Sequence, residues 1–151
     1  MSNYSIRAIL KNDKMTGTEQ TTKGETLPRG IAIAYWVATA LLAFVVGSGG
    51  IGDITHQWGT IETEEILGYP SYFLTVIGIW KVLGAIAVLV PGFPRMKEWA
   101  YAGIFFEMTG AAASHAFAGD YGAYSYHMLT TIGFAVLTIV SWALRPNSRK
   151  L

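Results

Sequence analysis

The chain has 151 residues, room for one domain, and is 52% hydrophobic and only 14% charged, against about 25% charged residues in ordinary soluble domains. Its formal net charge of +1 gives nucleic-acid binding no electrostatic support. It contains no cysteine, which excludes disulfides, thiol redox relays, iron–sulfur ligation and covalent haem attachment.

Residues 1–29 are polar and mixed in charge, with a Thr-rich run over 16–22 and no apolar stretch of signal-peptide type. They read as a largely flexible cytoplasmic tail ahead of a membrane domain over 30–145. A first membrane helix is expected over Ile31–Ile51, with Tyr35 and Trp36 at its start, where amphipathic aromatics favour the membrane interface. Its face Trp36, Ala40, Ala43, Gly47, Gly50 places small residues at helical spacing and reads as a packing face. Gly49-Gly-Ile-Gly52 reads as the end of that helix. The loop Asp53–Leu67 is acidic, with Asp53, Glu62, Glu64 and Glu65, and also holds His56 and Trp58. Within it, Thr60–Glu65 has the pattern of a short surface helix capped by Thr60 or Thr63.

A helical hairpin follows, Tyr69–Val90 and Glu98–Ala118, joined by the basic turn Pro91–Lys97. Pro70 sits in the first turn, where its missing N–H costs little. Each arm carries one charge near its middle, Lys81 and Glu107. In an antiparallel pair turning near residue 94, positions whose numbers sum to about 188 lie at the same depth. Lys81 and Glu107 meet that condition and are expected to face each other. Small residues in the rows Ala100, Gly103, Glu107, Gly110, Ser114 and Leu74, Ile77, Gly78, Gly84, Ala85, Val88 would let the backbones approach. An unpaired charge at the bilayer centre costs about 2.5–3.5 kcal/mol on insertion scales. The pair therefore reads either as a structural lock or as a proton-relay or ligand-binding pair lining a cavity. Trp80, beside Lys81, could with Tyr72 and Phe73 wall a pocket for a flat apolar ligand such as a quinone or sterol. Most other aromatics, Tyr101, Phe105, Phe106, Phe117, Tyr121, Tyr124 and Tyr126 among them, read as lipid-facing or interfacial anchors. Glu98 and Trp99 read as capping and anchoring residues.

After the connection Gly119–Ser125, a fourth helix is expected over Tyr126–Leu144, close to the length that crosses a ~30 Å hydrocarbon core. Its stripe His127, Thr131, Phe134, Thr138, Ser141 carries hydroxyls that suit a bundle interior. His115 shares its depth with Tyr126 or His127, so the two histidines could meet near Asp120, Asp53 or His56 and ligate a metal or b-type haem. No spacing matches a metal motif, and interfacial histidines are more often hydrogen-bonded polar groups. Residues 146–151 form a basic tail. Every Lys and Arg except Lys81 lies in the N-terminal tail, the hairpin turn or the C-terminal tail, while Asp53, Glu62, Glu64, Glu65 and Asp120 lie in the other two loops. By the positive-inside rule both termini and the hairpin turn are cytoplasmic. The fold class is thus an all-α, four-transmembrane-helix bundle.

The runs Leu67-Gly-Tyr-Pro, Gly78-Ile-Trp-Lys81 with Leu83-Gly84, Val90-Pro-Gly-Phe-Pro-Arg95, Glu98-Trp-Ala-Tyr-Ala-Gly103, and Ser141-Trp with Arg145-Pro resemble the DoxX-like family of small bacterial membrane proteins, over about residues 30–149. The resemblance implies a four-helix protein of the bacterial cytoplasmic (inner) membrane. It also implies an association with membrane oxidoreductase assemblies and with quinone or catechol stress, and it supplies no catalytic residues to carry over.

Three functions are compatible with these readings. One is an accessory component of a membrane redox or stress-response system that binds a quinone-like molecule with Lys81, Glu107 and Trp80 at the site. Another is a small permease or proton-coupled carrier, as a homo-oligomer, with Lys81, Glu107 and His115 as a polar track. The third is a scaffold whose ion pair fixes the bundle and whose acidic loop docks a partner, such as a membrane oxidoreductase. An independent enzyme is the least supported reading, since no nucleophile–base pair, phosphate loop or dinucleotide fingerprint is present.

Overall fold

Long apolar runs in a chain of this composition satisfy their backbone polar groups internally by forming helices. The computed structural model describes residues 28–57, 59–119 and 126–151, the side chain of residue 62 apart. Its elements are α1 (Arg29–Thr55), α2 (Thr60–Leu67), α3 (Ser71–Leu89), α4 (Pro94–Phe117), α5 (Tyr126–Ala143) and a 3-10 turn at Asn147–Arg149. Among the described residues there is no strand. Three helices among the described residues, α1, α3 and α5, are long and apolar enough to cross a membrane. The 24 residues of α4 include Arg95, Lys97, Glu98 and Glu107; that length spans ~36 Å. The tail expected over 1–29 lies outside the described residues except for Arg29 and Pro28, as do Trp58, Asp120, Tyr121 and Tyr124.

The four long helices form a ring in which α1 packs between α3 and α5, and α4 closes the circuit on the opposite side between the same two helices. The short α2 lies against α3 and α4. Although the sequence places the closest packing in the α3–α4 hairpin, the most intimate contact is α1 against α3. The reason is the glycine run that reads as a helix end. α1 continues through it for 27 residues and stops at His56, whose φ of 51° is left-handed and whose N–H bonds Gly52 O. Glycine weakens an isolated helix by about 1 kcal/mol relative to alanine, but here it permits backbone contact. A Cβ on Gly50 would lie 2.7 Å from both Gly78 O and Lys81 Cβ, and one on Gly78 would lie 2.6 Å from Gly50 O and 2.9 Å from Asp53 Cβ. Asp53 is consequently a helix residue on the α3-facing side, not a loop residue.

The buried face of α1 is Tyr35, Thr39, Leu42, Val46 and Gly50, while Trp36 and Ala40 are exposed, so it begins one residue earlier than the expected stripe. On α4, Tyr101, Ile104, Met108, Ala112 and His115 are buried. Gly103 and Gly110 instead face open space, because α4 must serve two neighbours and presents its larger residues to them. The hydroxyl stripe of α5 does turn inward, with Thr138 and Ser141 buried.

One apolar cluster, with Leu42, Val46, Val88, Ile104, Met108 and Ala135, fills the half of the ring nearer the Pro91–Phe93 turn, here the turn end. Beyond it a polar node ties three helices: Ser141 Oγ lies 2.8 Å from Thr39 Oγ1 and 2.9 Å from Tyr101 Oη. At the same end the C-terminal carbonyls of α3, which have no intrahelical partners, are capped by cations, the sign the helix dipole favours there. Buried Lys97 donates from Nζ to Ala87 O at 2.9 Å, to Val88 O at 3.1 Å and to Val90 O. Arg149 donates from Nη1 to Val88 O and Tyr35 Oη, both at 3.2 Å. The basic turn and tail thus fasten the bundle as well as carrying charge.

The glycine crossing has a measurable signature. Gly50→Ala and Gly78→Ala are each expected to destabilise the protein in detergent by about 1–3 kcal/mol through overpacking. Gly47→Ala, whose Cβ would rest 3.5 Å from Ala85, and Gly103→Ala should stay within about 0.5 kcal/mol of wild type. Thermal unfolding followed by circular dichroism checks the set.

Candidate functional site

The glycine crossing delivers a third charge to the pair read from the hairpin. Lys81, midway along α3, holds its Nζ 2.7 Å from Asp53 Oδ2 and 3.0 Å from Glu107 Oε1. The side chains are 13%, 17% and 19% exposed for Asp53, Lys81 and Glu107, so the group is set into the bundle wall yet reachable from outside. Each partner comes from a different helix, and the α3–α4 register that aligns Lys81 with Glu107 also sets Gly84 against Ile104. Two carboxylates on one ammonium leave one negative charge in excess, which a proton or an external cationic or donor group would neutralise. Asp53 Oδ1 accepts a 3.2 Å hydrogen bond from Thr60 Oγ1 at the start of α2. Alongside, His56 Nδ1 meets Glu64 Oε1 and its Nε2 meets Thr75 Oγ1, each at 3.0 Å. The polar groups therefore run from the triad toward the α2 end, whereas the apolar cluster fills the turn end.

Other residues singled out in the sequence lie apart. Trp80 follows α3 outward and is 69% exposed, and Tyr72 is likewise exposed, so neither walls a pocket at Lys81. His115 is buried and its ring centroid lies 5.1 Å from that of His127, the cross-helix neighbour expected from the register. Among the described residues no group of three or more His, Cys, Asp or Glu side chains is placed to hold a metal ion. Glu98 lies beyond the first turn of α4, so it is not a helix cap. Its Oε2 accepts from Trp142 Nε1 at 2.8 Å and its Oε1 from Arg145 Nη2 at 2.6 Å. Buried Arg145 also stacks on the Tyr101 ring, 4.9 Å from its centroid.

That bridge closes one end of a groove of about 340 Å³ between α4 and α5, lined by Glu98, Tyr101, Ala102, Phe105, Phe106, Thr138, Ile139 and Trp142. Its walls are aromatic and its main polar feature is the Glu98 carboxylate. The sequence signal for it was the spacing Tyr101, Phe105 on one helix face with Trp142 in register across the antiparallel partner, masked by the ordinary reading of such aromatics as lipid anchors.

The third member of the triad changes the outcome of a charge exchange. Lys81→Glu with Glu107→Lys restores an opposite pair but sets the new carboxylate against Asp53. Its thermal midpoint is expected to remain well below wild type, and adding Asp53→Asn to raise it by an amount equivalent to about 1–3 kcal/mol. Equal stability of the exchanged protein with and without Asp53→Asn would contradict the triad.

No curated protein and no solved structure matches the chain. The family model described as DoxX-like matches residues 37–141, a stretch that takes in most of α1, all of α2, α3 and α4, and α5 as far as Ser141. It contains the glycine crossing, all three charges of the triad and the α4 wall of the groove, and on this match the chain belongs to the DoxX-like family.

Proposed function

We propose that this DoxX-like protein is a four-span component of the bacterial cytoplasmic membrane, with both termini cytoplasmic. In this reading it serves a membrane redox or stress-response system by holding a flat lipid-soluble molecule of the quinone class in the α4–α5 groove. The fourth span is supported by the pairing of its charges: Glu107 meets Lys81, and Glu98 meets Arg145, which lowers the cost of placing α4 in lipid. Orientation is supported by the confinement of every Lys and Arg except Lys81 to the two tails and the hairpin turn.

The observation that carries the ligand reading is the groove itself. Aromatic walls of Tyr101, Phe105, Phe106 and Trp142 suit a flat ring, and an apolar site with a few fixed polar groups is the usual design for such ligands. At one end each Glu98 oxygen already accepts one hydrogen bond, from Trp142 or Arg145, and keeps a lone pair for a further donor. A carboxylate accepts hydrogen bonds and offers none, so the groove favours the hydroxyl-bearing reduced molecule, a hydroquinone or catechol, over the oxidised quinone. The triad acts as the lock that holds α1, α3 and α4 together. A second reading, a proton-coupled carrier, draws on the excess carboxylate of the triad and its link to Thr60.

Binding of a hydroquinone and its quinone to purified protein, followed by tryptophan fluorescence, separates the readings. The hydroquinone is expected to bind more tightly, and Glu98→Gln to weaken it by about tenfold through loss of a charge-assisted acceptor. Phe105→Ala should weaken both forms, while a folded Asp53→Asn protein binds as wild type. Ligand loss in Asp53→Asn with none in Glu98→Gln or Phe105→Ala would move the site to the triad. No binding in any form would end the quinone reading.

A further inference from the structure

The turn end carries a second cleft, of about 550 Å³, lined by Phe93, Pro94, Arg95 and Met96 at the start of α4 and by Lys150 and Leu151 after the 3-10 turn. We propose that it binds the phosphate headgroup of an anionic phospholipid; the inference rests on the reading of the chain as a membrane protein and not on the quinone reading.

The basic residues of this end divide into two sets. Lys97 and Arg149 are committed to the carbonyls of α3, and Arg145 to Glu98. Arg95 and Lys150 are exposed and, among the described residues, have no carboxylate partner. No acidic side chain lines the cleft, so one guanidinium and one ammonium share the recess with only the α-carboxylate of Leu151 as an anionic neighbour, and its balance stays positive. Such a pair suits phosphate, with arginine offering a forked donor set and lysine a point charge.

The rest of the lining is largely apolar, unlike that of a merely solvated basic patch. Phe93 is 65% exposed and Met96 is 48% exposed, and Phe93 adopts a left-handed φ of 51°, a conformation uncommon for a bulky residue. The strained turn sets an aromatic and a thioether beside the two cations. Apolar surface next to a cationic recess matches a phosphate that continues into glycerol and acyl chain, which free phosphate lacks. α4 begins with Pro94 and has no side-chain cap, so its positive dipole end adds to the same preference. An anionic phospholipid such as phosphatidylglycerol brings net negative charge, whereas phosphatidylcholine carries its own cation and would meet repulsion from Arg95 and Lys150.

The test is native mass spectrometry of the full chain in mild detergent containing equimolar phosphatidylglycerol and phosphatidylcholine. Wild type is expected to retain phosphatidylglycerol preferentially. Each of Arg95→Gln and Lys150→Gln should lower that preference about fivefold, since a basic residue near an anionic headgroup contributes about that factor. Arg29→Gln, at an exposed cation outside the cleft, should leave it unchanged. Equal retention of both lipids, an unchanged preference in the double variant, or an equal loss in Arg29→Gln overturns the proposal. Displacement of the lipid by millimolar inorganic phosphate also overturns it by assigning the site to the free anion. If the double variant does not fold, the wild-type thermal midpoint decides: a rise with phosphatidylglycerol alone supports the site, and an equal rise with both lipids does not.

Discussion

The backbones of α1 and α3 touch at Gly50 and Gly78, and the remaining architecture depends on that contact. Any side chain at either position would collide with a carbonyl oxygen, so the two helices reach this separation only because both residues are glycine. Inside a membrane there is no hydrophobic force to drive helices together, and close packing of small residues takes its place. The crossing also decides chemistry, because one turn beyond Gly50 it brings Asp53 to the ammonium of Lys81.

From there the triad orders the ring. Lys81 reaches back to α1 and across to Glu107 on α4, so three helices share one charge cluster while α5 is held from the other side by Ser141 and Arg145. Polar groups extend from the triad toward α2, and the turn end is filled by apolar side chains and closed by Lys97 and Arg149 on the carbonyls of α3. The bundle is thereby asymmetric along its axis, with hydrogen-bonded polar groups between the triad and α2 and an apolar cluster on the turn side of the triad.

Much of this was legible before the structure. The pairing of Lys81 with Glu107 follows from hairpin register, since an antiparallel pair with a short turn has little freedom to slide. The inward turn of Thr138 and Ser141 follows from helical spacing. Asp53 was not legible, because Gly49, Gly50 and Gly52 carry the local signature of a helix end, and only a partner surface on α3 makes continuation favourable. Trp80 misled for a different reason: adjacent helix residues point about 100° apart, so its place in the chain beside Lys81 says nothing of shared surroundings. The small-residue row of α4 held at Ala100, Glu107 and Ser114, which meet neighbours, but not at Gly103 and Gly110, since a helix with two neighbours buries the face between them, here Tyr101, Ile104 and Met108. Lys97 and Arg149 read correctly as basic-end residues, but a cap supplied to another helix leaves no periodic trace.

The most direct measurement is a double-mutant cycle between Asp53 and Lys81, using Asp53→Asn and Lys81→Met and reading unfolding free energy in detergent. Removing the ammonium alone leaves two carboxylates facing each other and should cost about 3–5 kcal/mol. With both changes made, part of that loss should return, giving a coupling energy of about 1–3 kcal/mol. Strictly additive effects of the two substitutions would contradict the claim that the glycine crossing joins α1 and α3 through a shared charge.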